Sequence, residues 1–219
     1  MVSVEIQNFL RSWFMRFVKL MGLLVSLLAT ASVAGTMEYT LDTTKSQVKW
    51  TGKKVTGSHW GLLKFKSGKL HWDGTKPVAG EFTVDMASLT VEDMPKADEN
   101  NGKLLGHLQS DDFFSTKTNP TATFVVKSAT PKGPGQFSLQ GDLTIKGKTH
   151  PITLDTKIAT TTTGTLDGQG KLVFDRSKYE IKYNSKTFFD PKTLGDKMIY
   201  DEVELELNLT AGNPKAVAM

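Results

Sequence analysis

The sequence predicts an all-β, antiparallel fold, and three observations carry that expectation. Apolar and polar residues alternate with a period of two through most of the chain beyond residue 35, the pattern of half-buried strands. Turn signatures rich in Gly, Pro and Lys separate the alternating runs. The length of 219 residues suits one domain, or at most two, and the 38% hydrophobic share is enough for a core. Short strands with regular turns in a chain of this size form a sandwich or a barrel.

The first 34 residues read differently, as a targeting segment. Arg11, Arg16 and Lys19 precede the apolar run Leu20–Ala29, and small residues follow, with a cut expected after Ala34. The run is shorter than the roughly 20 residues a membrane-crossing helix needs, so a cleaved signal peptide is expected rather than a stable span. Met15 would start a signal of more usual length, which makes residues 1–14 a candidate mis-called start. The expected domain is then residues 35–219. Losing Arg11, Arg16, Lys19 and Glu5 lowers the net charge from +4 to +2. With lysines spread evenly, that balance gives no support to a nucleic-acid partner. Cys is absent, which removes disulfides, thiolate metal sites and a cysteine nucleophile.

Along the expected domain, Leu63 and Phe65 are separated from Leu70 and Trp72 by Lys66-Ser-Gly-Lys69, read as a hairpin. Phe82, Val84 and Met86 share one face, with Glu81, Thr83 and Asp85 opposite; Gly80 leaves a gap on the apolar side. Ala122, Phe124 and Val126 repeat the pattern. Pro131–Gly135 and Lys146-Gly-Lys148 read as turns, and Pro151 should open its strand or lie at an edge. The tract Ala159–Gly164 reads as a strand end. The clearest alternation comes last: Val203, Leu205, Leu207 and Leu209 against Glu202, Glu204, Glu206 and Asn208.

Two stretches break the period. Leu104, Leu105 and Leu108 fit one short amphipathic helix between Lys96 and Ser110, followed by Phe113 and Phe114, expected to close one end of the core. Residues 185–195, with Phe188, Phe189 and Leu194, are expected to form a flap. The inward faces offer Trp50, Phe65, Trp72, Phe82, Met86, Phe124 and Phe174 beside glycines. A filled core and an apolar pocket use the same residues, so the pattern alone leaves both open.

Chemistry-bearing groups are sparse. His59, His71, His107 and His150 lack the spacing of metal ligands, and no metal or cofactor is expected. His107, Ser110, Asp111 and Asp112 lie close in sequence, but no nucleophile elbow or oxyanion glycines accompany them. The expected role is structural, with Ser110 or Asp111 capping a backbone end and His107 bonding across to a strand. For Asp175 and Arg176 an ion pair fixing a hairpin is expected. The glycines of Gly164–Gly170 form a turn, not a phosphate cradle.

Several segments, in order, resemble the YceI-like family of polyisoprenoid-binding periplasmic proteins. They are Tyr39–Trp50, Gly106–Phe114 with Pro120–Phe124, Gly141–Asp155, Phe174–Tyr179 and Asp201–Leu207. The resemblance implies a lipocalin-like antiparallel β-barrel with one or two short helices and a long apolar tunnel. It further implies a periplasmic or secreted protein, a homodimer, and a bound isoprenoid of quinone or polyprenyl-phosphate type. Each CH₂ withdrawn from water would contribute about 0.8 kcal/mol. The expected ligand-binding residues are Trp50, Phe65, Trp72, Phe82, Met86, Leu104, Leu108, Phe113, Phe124, Phe174, Phe188 and Arg176, the last for a polar headgroup. Trp50, Trp60 and Trp72 make the first third bulky, and Gly57–Gly61 is placed to narrow the mouth.

Three function classes follow. The first is a lipid-binding barrel for transport or storage. The second is a ligand-free envelope or stress protein. The third is an enzyme acting on such a lipid, with His107 and Asp112 as its acid–base pair. The binding protein is the expected one.

Overall fold

The computed structural model describes residues 35–212 and 215–216. The targeting segment, its expected cleavage point and Met15 lie outside them. Ten strands and two short helices follow in order: β1 (Met37–Thr40), β2 (Gln47–Lys54), β3 (Gly57–Trp72), β4 (Pro77–Asp85), α1 (Glu99–Gln109), β5 (Thr121–Gly133), β6 (Gln136–Ile145), β7 (Lys148–Thr160), β8 (Leu166–Asp175), α2 (Pro191–Leu194), β9 (Ile199–Ala211) and β10 (Lys215–Ala216). Strands β2 to β9 close into an eight-stranded antiparallel barrel, so the architecture is the barrel and not the sandwich. Among the described residues, closure leaves no barrel strand without a neighbour on each side. Strand β9 is the closing stave, held by β2 on one side and β8 on the other.

Alternation works as expected in β9, where Val203 and Ala211 are buried while Glu202 and Asn208 face water. In β3 it works with a twist. The Lys66–Lys69 hairpin does not form; the chain runs straight through as one 16-residue strand. Its register against β4 shifts between Phe65 and Ser67. That extra residue changes parity, so odd-numbered Leu63 and Phe65 and even-numbered Leu70 all reach the core. Gly68 marks a close approach rather than a turn: a Cβ there would lie 2.7 Å from the Phe82 ring and 2.9 Å from Leu41.

Of the other turn readings, Gly164–Gly170 is corrected, because Leu166–Gly170 already belongs to β8, and Pro131–Gly133 continues β5; the remaining turns match the chain's path. Lys146 and Gly147 join β6 to β7 with φ of 53° and 72°, the left-handed pair that suits strand twist. Pro134 and Gly135, the latter at φ 67°, turn β5 into β6. Pro151 pairs with Asp142, at a place where β8 has not yet joined β7; that pairing begins at Asp155. The missing proline N–H therefore breaks no β7–β8 ladder bond.

Both long connections, residues 86–120 and 176–198, sit at the same end of the barrel. The first carries α1, which starts where Asp98 accepts from the Asn100 N–H at 2.8 Å. It ends at Ser110, whose N–H and hydroxyl both donate to the His107 carbonyl, at 3.1 and 2.7 Å. Asn101, buried on α1, donates to the carbonyls of Val91 and Met94 at 3.0 and 2.9 Å and ties the helix to the segment before it.

That segment seals a gap. Strand β4 pairs only with Lys64–Trp72 of β3, which leaves the first half of β3 short of a neighbour. Residues 88–93 lie along it. Thr90 and Glu92 donate main-chain N–H groups to the carbonyls of Leu62 and Trp60, at 3.0 and 2.9 Å. The β3 N–H groups in return find side-chain acceptors: Lys64 to Ser88 Oγ (2.8 Å), Leu62 to Thr90 Oγ1 (3.1 Å) and Trp60 to Asp93 Oδ1 (3.1 Å). Polar side chains thus do what a ninth strand would do, accepting from the β3 N–H groups that β4 does not reach.

Candidate functional site

The barrel encloses a cavity of about 150 Å³. Its wall runs from Trp50 and Phe174 at the end that carries the long connections to Tyr39 and Ala211 at the other. Along β9, Val203 to Ala211 covers eight residue steps, roughly 27 Å of strand and about 20 Å of barrel axis at the usual tilt. The void is therefore long and narrow. An engineered cavity of this volume, lined by aliphatic and aromatic side chains, stays dry and admits a benzene-sized guest.

The wall is almost wholly carbon. Strand β9 gives Val203, Leu205, Leu207 and Leu209, and the facing strands give Leu139, Leu143 and Leu154. On β8, Gly168 and Gly170 leave bare backbone between Leu166 and Leu172. The few polar groups at the wall are engaged or peripheral. Trp50 Nε1 donates to the Thr90 carbonyl at 3.0 Å, and Thr156 Oγ1 donates to the Phe137 carbonyl at 3.3 Å. Such a wall offers dispersion and dehydration and no directional bond to a polar guest.

The twelve expected ligand-binding residues divide evenly. Trp50, Phe65, Phe82, Met86, Phe124 and Phe174 line the cavity. The other six do not. Trp72 ends β3 beyond the void and packs edge-on against Phe137, with ring centroids 5.6 Å apart. Leu104 and Leu108 pack α1 onto the core. Phe113 is buried against His107 and Tyr183, and its neighbour Phe114 reaches the cavity instead. Phe188 is 41% exposed. Of the bulky first third, Trp50 alone of the three tryptophans lines the cavity; Trp60 lies outside, with Lys49 over its ring. Gly61 does not narrow a mouth. A Cβ there would collide with the Thr90 carbonyl and crowd Trp50 Nε1, so glycine lets the 88–93 segment lie down on β3.

Arg176 is committed elsewhere. It is 2% exposed, and its guanidinium donates to four carbonyls: Tyr200 (3.1 Å), Ile181 (3.0 Å), Tyr183 (2.9 Å) and Ile199 (3.1 Å). Its ion partner is buried Asp201 at 3.3 Å, not Asp175, which instead caps the following turn through the Ser177 N–H and hydroxyl. Burial pulls the guanidinium below its ordinary value, with Asp201 and Asp175 opposing. No donor is turned to the cavity. Burial, and then the nearby Asp175 charge, push the Tyr179 phenol up to about 12, and its hydroxyl has no bonding partner.

The histidines are dispersed. His107 Nε2 lies 2.9 Å from Asp112 Oδ2 on the outer side of α1, between the rings of Phe113 and Tyr183. It meets a loop rather than the expected strand, and neither His107 nor Asp112 touches the cavity. His59 bonds Asp93 at 2.7 Å, and His150 bonds the Lys178 carbonyl at 2.9 Å. Among the described residues no three His, Asp or Glu side chains converge as a metal site would require. Nor, among them, is any helix long and apolar enough to cross a membrane.

What sequence reasoning missed is the aliphatic part of the wall. Leu205, Leu207 and Leu209 were legible as one dry face of β9. Leu89 carried no periodic signal, because it lies in the irregular segment that seals β3.

A family model described as the YceI-like domain matches residues 39–211. A UPF0312 protein of Shewanella putrefaciens is 28% identical over 190 residues, covering 84% of this chain and 91% of the relative. Matches to UPF0312 proteins of Shewanella denitrificans and Pseudomonas putida span only 42% and 50% of those proteins. Among solved structures, BcnA of Burkholderia cenocepacia aligns with a TM-score of 0.62 and 26% identity, over 78% of this chain and 99% of BcnA. A domain from Saccharophagus degradans, described as polyisoprenoid-binding and implicated in plant cell wall breakdown, aligns with a TM-score of 0.56. At 15% identity, over 80% of this chain and 98% of that one, it shares the fold.

Proposed function

We propose that this chain, which belongs to the YceI-like family, binds the apolar chain of an isoprenoid lipid inside its barrel and carries or stores it without chemical change. The observation that carries the reading is the carbon-walled, elongated cavity. A polar metabolite would lose its hydration there and gain no bond in return. A flexible hydrocarbon loses only its contact with water, at about 25 cal/mol per Å². The polyisoprenoid-binding description of the Saccharophagus domain supports the isoprenoid class.

The cavity's volume sets a condition. About 150 Å³ spread over some 20 Å has room for a guest of benzene size, roughly one isoprene unit, in the present packing. A longer tail enters as wall side chains change rotamer. Met86 is suited to this, being unbranched and adaptable. The reading includes export: cleavage after Ala34 would place the mature protein in the periplasm or outside the cell. N-terminal sequencing of the host-purified protein checks that part, with Gly35 expected first.

Native mass spectrometry of protein purified from its host, followed by extraction and lipid identification, tests the function. A stoichiometric isoprenoid adduct is expected. A clean apo mass with no uptake of added quinone or polyprenol would overturn the reading. Gly168→Leu sharpens the test. A Cβ at Gly168 meets Leu209 and Ile158 at ordinary contact distances of 3.6–4.0 Å, so the fold accepts it. The rest of the side chain enters the void, and the adduct should disappear while the melting temperature holds.

A further inference from the structure

We infer that the barrel end bearing residues 176–198 docks on an anionic lipid surface, with Phe188 and Phe189 as the inserting residues. Nine large apolar side chains are exposed among the described residues, and five belong to this end: Val55, Tyr183, Phe188, Phe189 and Tyr200. The other four, Met37, Trp60, Val125 and Val173, lie singly on four different strands, where scattered exposed apolar side chains are ordinary. Phe188 and Phe189 are consecutive and 41% and 50% exposed.

The backbone gathers these residues. Ser185 forms a parallel bridge with Ile199, whose N–H donates to the Asn184 carbonyl at 3.0 Å. The Val55 N–H donates to the Met198 carbonyl at 3.2 Å, which brings the β2–β3 turn to the same place. Arg176 holds the group from beneath through the carbonyls of Tyr183, Ile199 and Tyr200. The exposed rings therefore stand on a fixed base.

Charge selects the occupant. Between residues 178 and 197, five exposed lysines (178, 182, 186, 192 and 197) face three acids, Glu180, Asp190 and Asp196. Of these acids, Asp190 caps α2 and Glu180 is paired with Lys148. Lys182 Nζ lies 5.0 Å from the Phe188 ring centroid, over its face. Phenylalanines at a tip with lysines around them match an interface whose headgroups are negative and whose next layer is hydrocarbon. A second copy of this chain would set lysine against lysine.

The inference does not rest on the cavity's cargo, so its test contains no isoprenoid. The protein is co-sedimented with phosphatidylcholine vesicles holding about 30 mol% phosphatidylglycerol, and with phosphatidylcholine vesicles alone, at about 0.1 M salt. It should pellet with the anionic vesicles, poorly with the neutral ones, and less at about 0.5 M salt. Phe188→Ser with Phe189→Ser should lower partition about tenfold, as should Lys182→Glu with Lys186→Glu. Val125→Ser, an exposed apolar site on β5, should change nothing, and melting temperatures should hold throughout. Failure of the wild type to pellet would overturn the inference. So would equal pelleting with neutral vesicles, or equal loss on Val125→Ser. A dimer in sedimentation equilibrium that the phenylalanine pair abolishes, with no vesicle binding, would assign the surface to a second copy instead.

Discussion

Residues 86–120 and 176–198 connect strands at the same end of one barrel, yet they are built on opposite principles. The first is held by carbon: Met86, Leu89 and Phe114 reach the cavity, and Val91, Leu108 and Phe113 are buried behind them. Its polar groups complete the edge of β3 and cap and tether α1. The second adds a charged hub to its two buried hydrophobic side chains, Tyr179 and Ile181: one buried guanidinium joined to four carbonyls and to Asp201. Its own aromatics at 188 and 189 stay outside. A connection that lines an apolar cavity must donate apolar side chains inward. A connection that presents apolar side chains outward needs another anchor, and a hub of main-chain carbonyls around one Arg supplies it.

The comparison is broken hardest at the hub. Arg176→Met should destabilise the protein by about 3–5 kcal/mol, because Asp201 is left buried without its partner. Urea denaturation measures it, and adding Asp201→Leu should recover part of the loss, since the orphaned charge is gone. Next comes Leu89→Ala, expected to cost about 2–4 kcal/mol as the wall loses a buried side chain. A loss for Arg176→Met smaller than that for Leu89→Ala would mean that carbon holds both connections.

Thr90→Val should cost about 1–2 kcal/mol by leaving the Leu62 N–H without an acceptor, while Thr90→Ser keeps the oxygen and most of the stability. Amide exchange at Leu62 reads this directly. The smallest effect is acid dependence at Asp93. Burial pushes its carboxyl up, but the bonds from His59 and the Trp60 N–H outweigh that and hold it below the ordinary 3.8. A depressed folded pKa means the contribution is complete above the unfolded value and is lost as pH falls through the folded one. Urea midpoints should therefore drop below about pH 4, and Asp93→Asn should show a shallower acid limb than the wild type.

How far the sequence reaches is visible in β3 and β9. The four alternating apolar residues from Val203 to Leu209 need no context, since one face is core and the other water. Lys66-Ser-Gly-Lys69 carries the chemistry of a hairpin but forms a bulged strand, because Gly68 serves the approach of Phe82 from β4 and of Leu41 from just beyond β1. No local pattern distinguishes those two uses of a glycine. Inward-facing aromatics on strands were readable, hence Trp50, Phe82 and Phe124. Arg176 was not: its neighbours in sequence suggest a headgroup contact or a pair with Asp175, and its true partners lie 5 to 25 residues further on. Leu89 escaped because it lies in a segment with no period at all.

The place of β9 between β2 and β8 has a consequence for assembly. Gln47 pairs with Asn208, a contact between residues more than 150 positions apart, so the wall cannot be completed until the last long strand is present. Contacts so distant in sequence fold slowly, and a chain lacking residues 199–211 would keep two strands, β2 and β8, open along their edges. Ring closure thus requires β9. Before it there is no interior to occupy, and the cavity exists only once residues 199–211 are in place.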